Sequence, residues 1–418
     1  MAKKRIPYIL FWIYVIFLLT FNEYLAIYIS KSVLRGIYVI FLIFLLISIL
    51  IKNKYEIKIE KIDEAIYLYV FYSIFRFVIQ VIFYDYSTII FVSFLQTIIP
   101  IFTFFVAKEM SIEESKLVEN ILIYFVVVSV FVGLINPYLN ILPNRGSFLG
   151  DLYAGTGNGR YVVRGYSLAG SALITGFISS LAIIMIALRT NGKRAGIIKI
   201  ALMGILILGL FKSLSRGAIM MLVLSILCFL ILIIRRKGMQ INKRIFSGAV
   251  LLAFVGFIFL IAKLDSIIAS DIYQRFFVVG FSTNENSNNL RIDDWITAIE
   301  QIKDYLVFGK GYGYTGVQAN RLTTSAINSE SYFLSILING GVINLILFFN
   351  IIWKIIKQSK YIIYSLDKYR YYALVVGMLA WSVTYILLDS DLNAMIFWYA
   401  VGQLFAFMNE NHKVNCEK

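Results

Sequence analysis

The sequence predicts an all-α polytopic membrane protein with about twelve transmembrane helices, on three observations. Hydrophobic residues make up 60% of the 418 positions, the mean hydropathy is +0.80, and the apolar residues fall in runs of membrane-spanning length. Only 15% of residues are charged, yet Lys and Arg outnumber Asp and Glu by 39 to 24. In a polytopic chain that excess belongs to cytoplasmic loops, so it calls for no nucleic-acid partner.

Taken in order, the expected spans are 6–27, 33–51, 62–83, 86–107, 117–135, 166–188, 197–210, 217–234, 245–262, 332–355, 371–388 and 392–407. The seventh is short unless it continues into Lys212 and Ser213. Lys3-Lys-Arg5 before the first run has the charge of a signal peptide. The run continues to Leu19 without a small-residue cleavage site, so it reads as a retained helix. With the N-terminus in the cytoplasm, about 25 of the 39 Lys and Arg fall on the cytoplasmic side and about thirteen outside, with Arg76 inside a span. Both termini are therefore expected inside, and segments 136–165 and 264–334 outside. The chain divides into 1–263 with spans one to nine, 264–331 as an extracytoplasmic loop, and 332–418 with spans ten to twelve and a cytoplasmic tail. Cys228, Cys416 and the sole histidine, His412, are too few and too scattered for a disulfide framework, a zinc site or a His-based triad.

The outer loop contains an amphipathic stretch, 289–306, in which Ile292, Trp295, Ile296, Ile299, Ile302 and Leu306 recur at helical spacing. Arg291 is expected in its first turn, where a cation opposes the helix dipole by roughly 0.3–1 kcal/mol. Asp293 and Asp294 offset it on one reading; on the other, the guanidinium and the helix N-terminus together hold a phosphate. Arg216 lies in Ser215-Arg-Gly217 at the mouth of a span, and Arg164 precedes Gly165; each is also an ordinary interfacial arginine. Arg76, with Gln80 one turn on, lies within the third span, where a charge needs a buried partner or a function. Phe308-Gly-Lys-Gly-Tyr-Gly-Tyr-Thr-Gly316 lacks the strand and the Gly-Lys-Ser/Thr of a phosphate loop, and reads as a turn passing close to a ligand or another element. Glu330, in Ser329-Glu-Ser-Tyr332, is an acid poised where the tenth span begins. Asp389-Ser-Asp391 has the spacing of a cation-binding pair, but without other ligands it reads first as a tight solvated turn. No metal and no cofactor are expected.

These pieces together resemble the O-antigen ligase and O-antigen polymerase superfamily of envelope glycosyltransferases. The matched features are Arg164-Gly165, Ser215-Arg-Gly217, Arg291-x-x-x-Trp295 with Phe308-Gly-x-Gly-x-Gly313, and Glu330-Ser-Tyr-Phe-Leu334 running to Gly340-Gly341. Glutamate at 330, where ligases carry histidine, is more similar to the Wzy-type polymerases. The resemblance implies a GT-C-like fold and a glycan on undecaprenyl diphosphate as both donor and acceptor. It also implies inverting, metal-independent transfer at the outer face of a bacterial inner membrane. On that reading Arg216, Arg291 and Arg164 grip the diphosphate and Glu330 is the catalytic base. Arg76, Ser215, Trp295, Tyr312 and Tyr332 are candidates for lining the substrate cleft. Membrane lipids and a chain-length regulator are the further partners it implies. The alternatives are a ligase passing finished polymer to an acceptor and, from another class, a flippase for lipid-linked oligosaccharide.

Overall fold

The computed structural model describes residues 6–52, 60–83, 87–139, 153–155, 161–188, 197–235, 286–316, 327, 329–358 and 366–406. The helices are α1 (Ile6–Leu25), α2 (Lys31–Lys52), α3 (Lys61–Phe83), α4 (Thr88–Lys108), α5 (Ile112–Leu139), α6 (Ala172–Ala187), α7 (Ile197–Ser213), α8 (Arg216–Arg235), α9 (Asn286–Ile302), α10 (Tyr332–Gln358), α11 (Leu366–Thr384) and α12 (Asp391–Ala406). A short antiparallel ribbon, β1 (Tyr153–Gly155) and β2 (Tyr161–Val163), lies between α5 and α6, with Tyr153 opposite Val163.

Among the described residues, seven helices are long and apolar enough to cross a membrane: α1 to α5, α8 and α10. The chain is an all-helical polytopic membrane protein. The shorter α6, α7, α11 and α12 fall on the sixth, seventh, eleventh and twelfth expected spans. The ninth expected span, 245–262, lies outside the described residues, as do 264–285 and 317–326 of the segment expected to form the outer loop.

Side-by-side packing holds α4 against α12 and α8 against α11. Small residues allow this approach. A Cβ at Gly402 would sit 2.6 Å from the Phe104 carbonyl, and one at Gly377 would sit 2.1 Å from Ser225 Oγ.

Three elements depart from expectation. The sixth span does not begin at Tyr166: residues 164–171 are non-helical, with a turn closed by the Gly170 amide on Ser167 O, and α6 starts only at Ala172, with the Ser171 hydroxyl accepting from the Ile174 amide. Non-helical backbone is tolerated here because it is buried in protein. The Leu168 amide donates to Ser129 O, the Tyr24 amide to Leu168 O, and Asn136 Nδ2 to the Tyr166 hydroxyl. Second, the amphipathic helix begins at Asn286 rather than 289, so Arg291 lies beyond its first turn, where the dipole penalty has faded. It ends at Ile302 and tightens into a 3-10 turn at Lys303–Tyr305. Third, α10 is broken at Gly341, whose φ of 70° lies in the left-handed region.

The glycine-rich run fills that break. The amides of Lys310 and Gly311 donate to Ile338 O, at 2.7 and 3.1 Å, and the Val342 amide donates to Leu306 O at 2.9 Å. The run is therefore the hydrogen-bond partner of an interrupted helix, which is why it needs glycines: a Cβ at Gly309 would lie 2.5 Å from the Gly341 nitrogen.

Candidate functional site

One face of α3 holds this arrangement in place. Tyr72, Arg76 and Gln80 follow at four-residue spacing and so project on the same side. The Tyr72 hydroxyl donates to Gly340 O at 2.7 Å. Arg76 donates through Nε to Phe308 O at 2.6 Å and through Nη2 to Gly309 O at 2.9 Å. Gln80 brackets Tyr312, donating to its carbonyl at 3.0 Å and accepting from its amide at 2.7 Å. The charge at Arg76, 3% exposed, thus fastens the turn to the bundle. Tyr312 is wholly buried, its ring edge-on to Phe94 at 5.3 Å between centroids.

A second group forms where α7 meets α8. Arg164 Nε donates to Ser213 O at 2.9 Å, and the Gly165 amide to Lys212 O. Leu214 has a φ of 50° and turns the chain sharply into α8. Ser215 is buried, and its hydroxyl accepts from the Ala218 amide at 3.4 Å, which is the geometry of an N-cap. Arg216 is the first residue of α8, so its cation stands at a positive helix end. Arg164 and Arg216 are thereby brought to one turn. Gly217 packs so tightly on Trp381 of α11 that a Cβ would lie 1.9 Å from its indole nitrogen.

A third group surrounds Glu330, whose φ is 36°. Left-handed backbone is costly for a residue with a side chain, on the order of 1 kcal/mol or more, and persists only where neighbours impose it. The Ile327 amide donates to Tyr314 O at 2.7 Å, and Ser329 and Thr315 share a hydroxyl contact of 2.9 Å. Ser331 O accepts from the Ser335 amide as α10 begins. Glu330 is near enough to Asp294 of α9 for its charge to act there: the Asp294 carboxyl is raised from its ordinary value by burial, by Glu330 and by Asp293. Trp295, one residue on, is half-buried. The backbone of Arg291 lies one turn earlier on α9; its side chain falls outside the described residues. Tyr332 is buried, edge-on to Phe348 at 5.5 Å.

Asp389 links the third group to the glycine run, whereas the sequence offered it as half of a cation-binding pair or as a turn residue. It lies in the 3-10 turn Leu387–Asp389 between α11 and α12, accepting from Ser335 Oγ at 2.8 Å. The same oxygen also faces the glycine run: a Cβ at Gly316 would lie 3.0 Å from Oδ2. Burial pushes its carboxyl up to about 7, and the Ser335 hydroxyl works against that rise. Asp391 turns elsewhere, meeting Arg35 Nε at 2.8 Å and the Tyr38 hydroxyl at 2.7 Å. The two carboxylates of Asp389-Ser-Asp391 therefore have separate partners, and the pair does not converge on one point. Only the acid's position between two apolar runs marked Asp389 in the sequence. Nothing local marked Tyr72 or Ser213.

Arg164, Arg216, Glu330 and Asp389 all occupy the end of the bundle where α3 and α11 finish and α8, α10 and α12 begin. Trp381 stacks on Tyr385 at 5.9 Å, carrying the packing from Gly217 toward the Asp389 turn. No curated protein matches the chain. Residues 201–349 match the family described as O-antigen ligase. That stretch contains Arg216, Arg291, the glycine run and Glu330, and the match supports placing the chain in the O-antigen ligase and polymerase superfamily.

Proposed function

We propose that the protein is a membrane glycosyltransferase that lengthens a polysaccharide from lipid-linked repeat units at the outer face of the cytoplasmic membrane. The observation that carries this reading concerns strain. Among the described residues the two non-glycine positions at positive φ are Leu214 and Glu330. One adjoins Ser215-Arg216 and the other is the candidate base, both inside the family match. Stored backbone strain clusters where a chain must present a group in one orientation.

In the proposed reaction the acceptor sugar's hydroxyl attacks the anomeric carbon of the donor glycan. The bond from that carbon to the diphosphate oxygen breaks with inversion. Glu330 takes the hydroxyl proton, and the lipid diphosphate leaves as an anion. Arg216 at the positive end of α8, with Arg164 beside it and Arg291 on α9, stabilises the charge that develops on the leaving group. Asp389 holds Ser335, and with it the first turn of α10, against the glycine run.

Glutamate at 330 favours a polymerase, whereas the description of the matched family favours a ligase. The deciding experiment supplies purified protein with a synthetic undecaprenyl-diphosphate repeat unit. Lengthening of that unit supports polymerisation. Failure to lengthen it, with transfer of preformed polymer to a separate acceptor, establishes the ligase. Movement of labelled lipid across a vesicle without any new glycosidic bond establishes the flippase instead.

A further inference from the structure

Helix α9 has three faces rather than two. At about 100° per residue, Ala298 and Ile302 share one sector. Both are buried, clustering with Ile338 of α10 and with Ile327 ahead of it. Asp293 and Glu300 share a second sector and are exposed. Ile292, Ile296 and Ile299 form a third, and they are 52, 51 and 47% exposed. The apolar surface continues past the helix into Leu306, Val307 and Phe308, each about half exposed.

The depth of this ridge identifies what covers it. Phe308 O accepts from Arg76, seven residues before the end of α3. At a rise of about 1.5 Å per residue, the ridge's inner end lies roughly 10 Å below the last turn of α3. That last turn is itself lipid-exposed in character, with Ile82 at 66% and Phe83 at 74% exposure. On the other side the Val342 amide holds Leu306 O, and α10 continues with exposed Ile346 and Phe349. Segment 306–308 is therefore set between the outward apolar faces of two membrane-spanning helices, and α9 continues that belt.

We infer that α9 and residues 306–308 are seated in the membrane interface, with Ile292, Ile296, Ile299 and Phe308 against the acyl chains of the surrounding bilayer. An amphipathic helix whose apolar arc exceeds what its protein neighbour covers lies in that plane. α9 then stands as a sill, with lipid on its isoleucine side and Glu330 beside Asp294 on another. This inference concerns the surface alone and holds whichever glycan reaction the site performs.

The test uses the full chain carrying Cys228→Ser and Cys416→Ser, with single cysteines introduced by Ile296→Cys, Ile299→Cys, Asp293→Cys and Glu300→Cys. Each variant is labelled with a nitroxide in vesicles of phosphatidylethanolamine and phosphatidylglycerol. Collision rates with oxygen, which concentrates in lipid, and with a water-soluble nickel chelate are then compared. The expected result is an oxygen-to-nickel ratio several-fold higher at 296 and 299 than at 293 and 300. Equal ratios at all four positions would overturn the inference by placing the helix in water. Labels at 296 and 299 shielded from both reagents would overturn it equally, by placing a second copy or another protein on the ridge. All four positions lie on the surface of one helix, so misfolding of a single variant leaves the comparison readable from its neighbours.

Discussion

The two ends of the helical bundle differ in what their buried arginines hold: Arg370 a carboxylate, Arg76 the main chain. At the end where α3, α5 and α11 begin, buried cations and carboxylates are matched. Arg370 and Glu119, 1 and 2% exposed, meet at 2.6 Å with the Tyr371 hydroxyl also on Glu119, and Lys108 meets Asp63 at 2.9 Å and Glu60 at 3.3 Å. Ser115 and Gln403 complete that layer, with Gln403 donating to Ala107 O at 2.7 Å. At the other end Asp391 is likewise paired, with Arg35 at 2.8 Å, but Arg76 and Arg164 donate to main-chain carbonyls, the charge of Glu330 raises the Asp294 carboxyl, and Asp389 is buried with the Ser335 hydroxyl. Pairing of opposite charges locks helices together. Arginines spent on orienting backbone, next to strained residues and a carboxyl held near neutrality, preserve a particular geometry for some other use.

The comparison can be broken most sharply at Glu330. On the proposed reading, Glu330→Gln lowers polymer formation by about 10²–10⁴-fold at unchanged membrane abundance, measured on synthetic lipid-linked units. Substantial retained activity would move the base elsewhere. Arg216→Ala is expected to cost about 10²–10³-fold in turnover, again without loss of protein, and normal polymer from this variant would remove Arg216 from the site.

At the matched end the expected signature is reversed. Arg370→Met leaves Glu119 buried without its cation and destabilises the fold by about 3–5 kcal/mol, read as a lower unfolding temperature in detergent. Turnover per folded molecule stays the same, and a selective loss of turnover would erase the distinction between the ends.

Asp389 sharpens the contrast through pH. Its folded pKa of about 7 stands above the ordinary carboxyl value near 3.9, so between those values the folded state retains a proton that the unfolded state has released. Stability therefore falls as pH rises from about 4 to 7, by up to roughly 4 kcal/mol. Asp389→Asn should flatten that slope in thermal melts while keeping an acceptor for Ser335. An unchanged slope would mean that another group produces it. The smallest effect belongs to the ion pair of Lys31 and Glu23, whose side chains are 42 and 23% exposed. Lys31→Ala should change stability by no more than about 1 kcal/mol in the same melts.

Hydropathy and periodicity are local properties, and what depends on them was readable from the chain. The membrane class, the position of most helices and the amphipathic character of α9 follow from runs and spacings a few residues long. The run-on of α7 through Ser213 was legible for the same reason. Helix starts were less so: Asn286, Ala172 and the break at Gly341 depend on what the flanking backbone can bond to in space.

Arg216 and Arg164 could be singled out as candidates because arginines expected on the outer face run against the insertion bias, and Glu330 because an acid stands where a span begins. Their surroundings could not. Arg76 meets Phe308 across 232 positions, and Arg35 meets Asp391 across 356. Composition determined that this chain would bury apolar helices in a bilayer and leave most of its charges outside the spans, Arg76 excepted. Tertiary structure alone decided which charges pair, which orient backbone and which carboxyl is held near neutrality, because burial and proximity are set by partners far away in the chain.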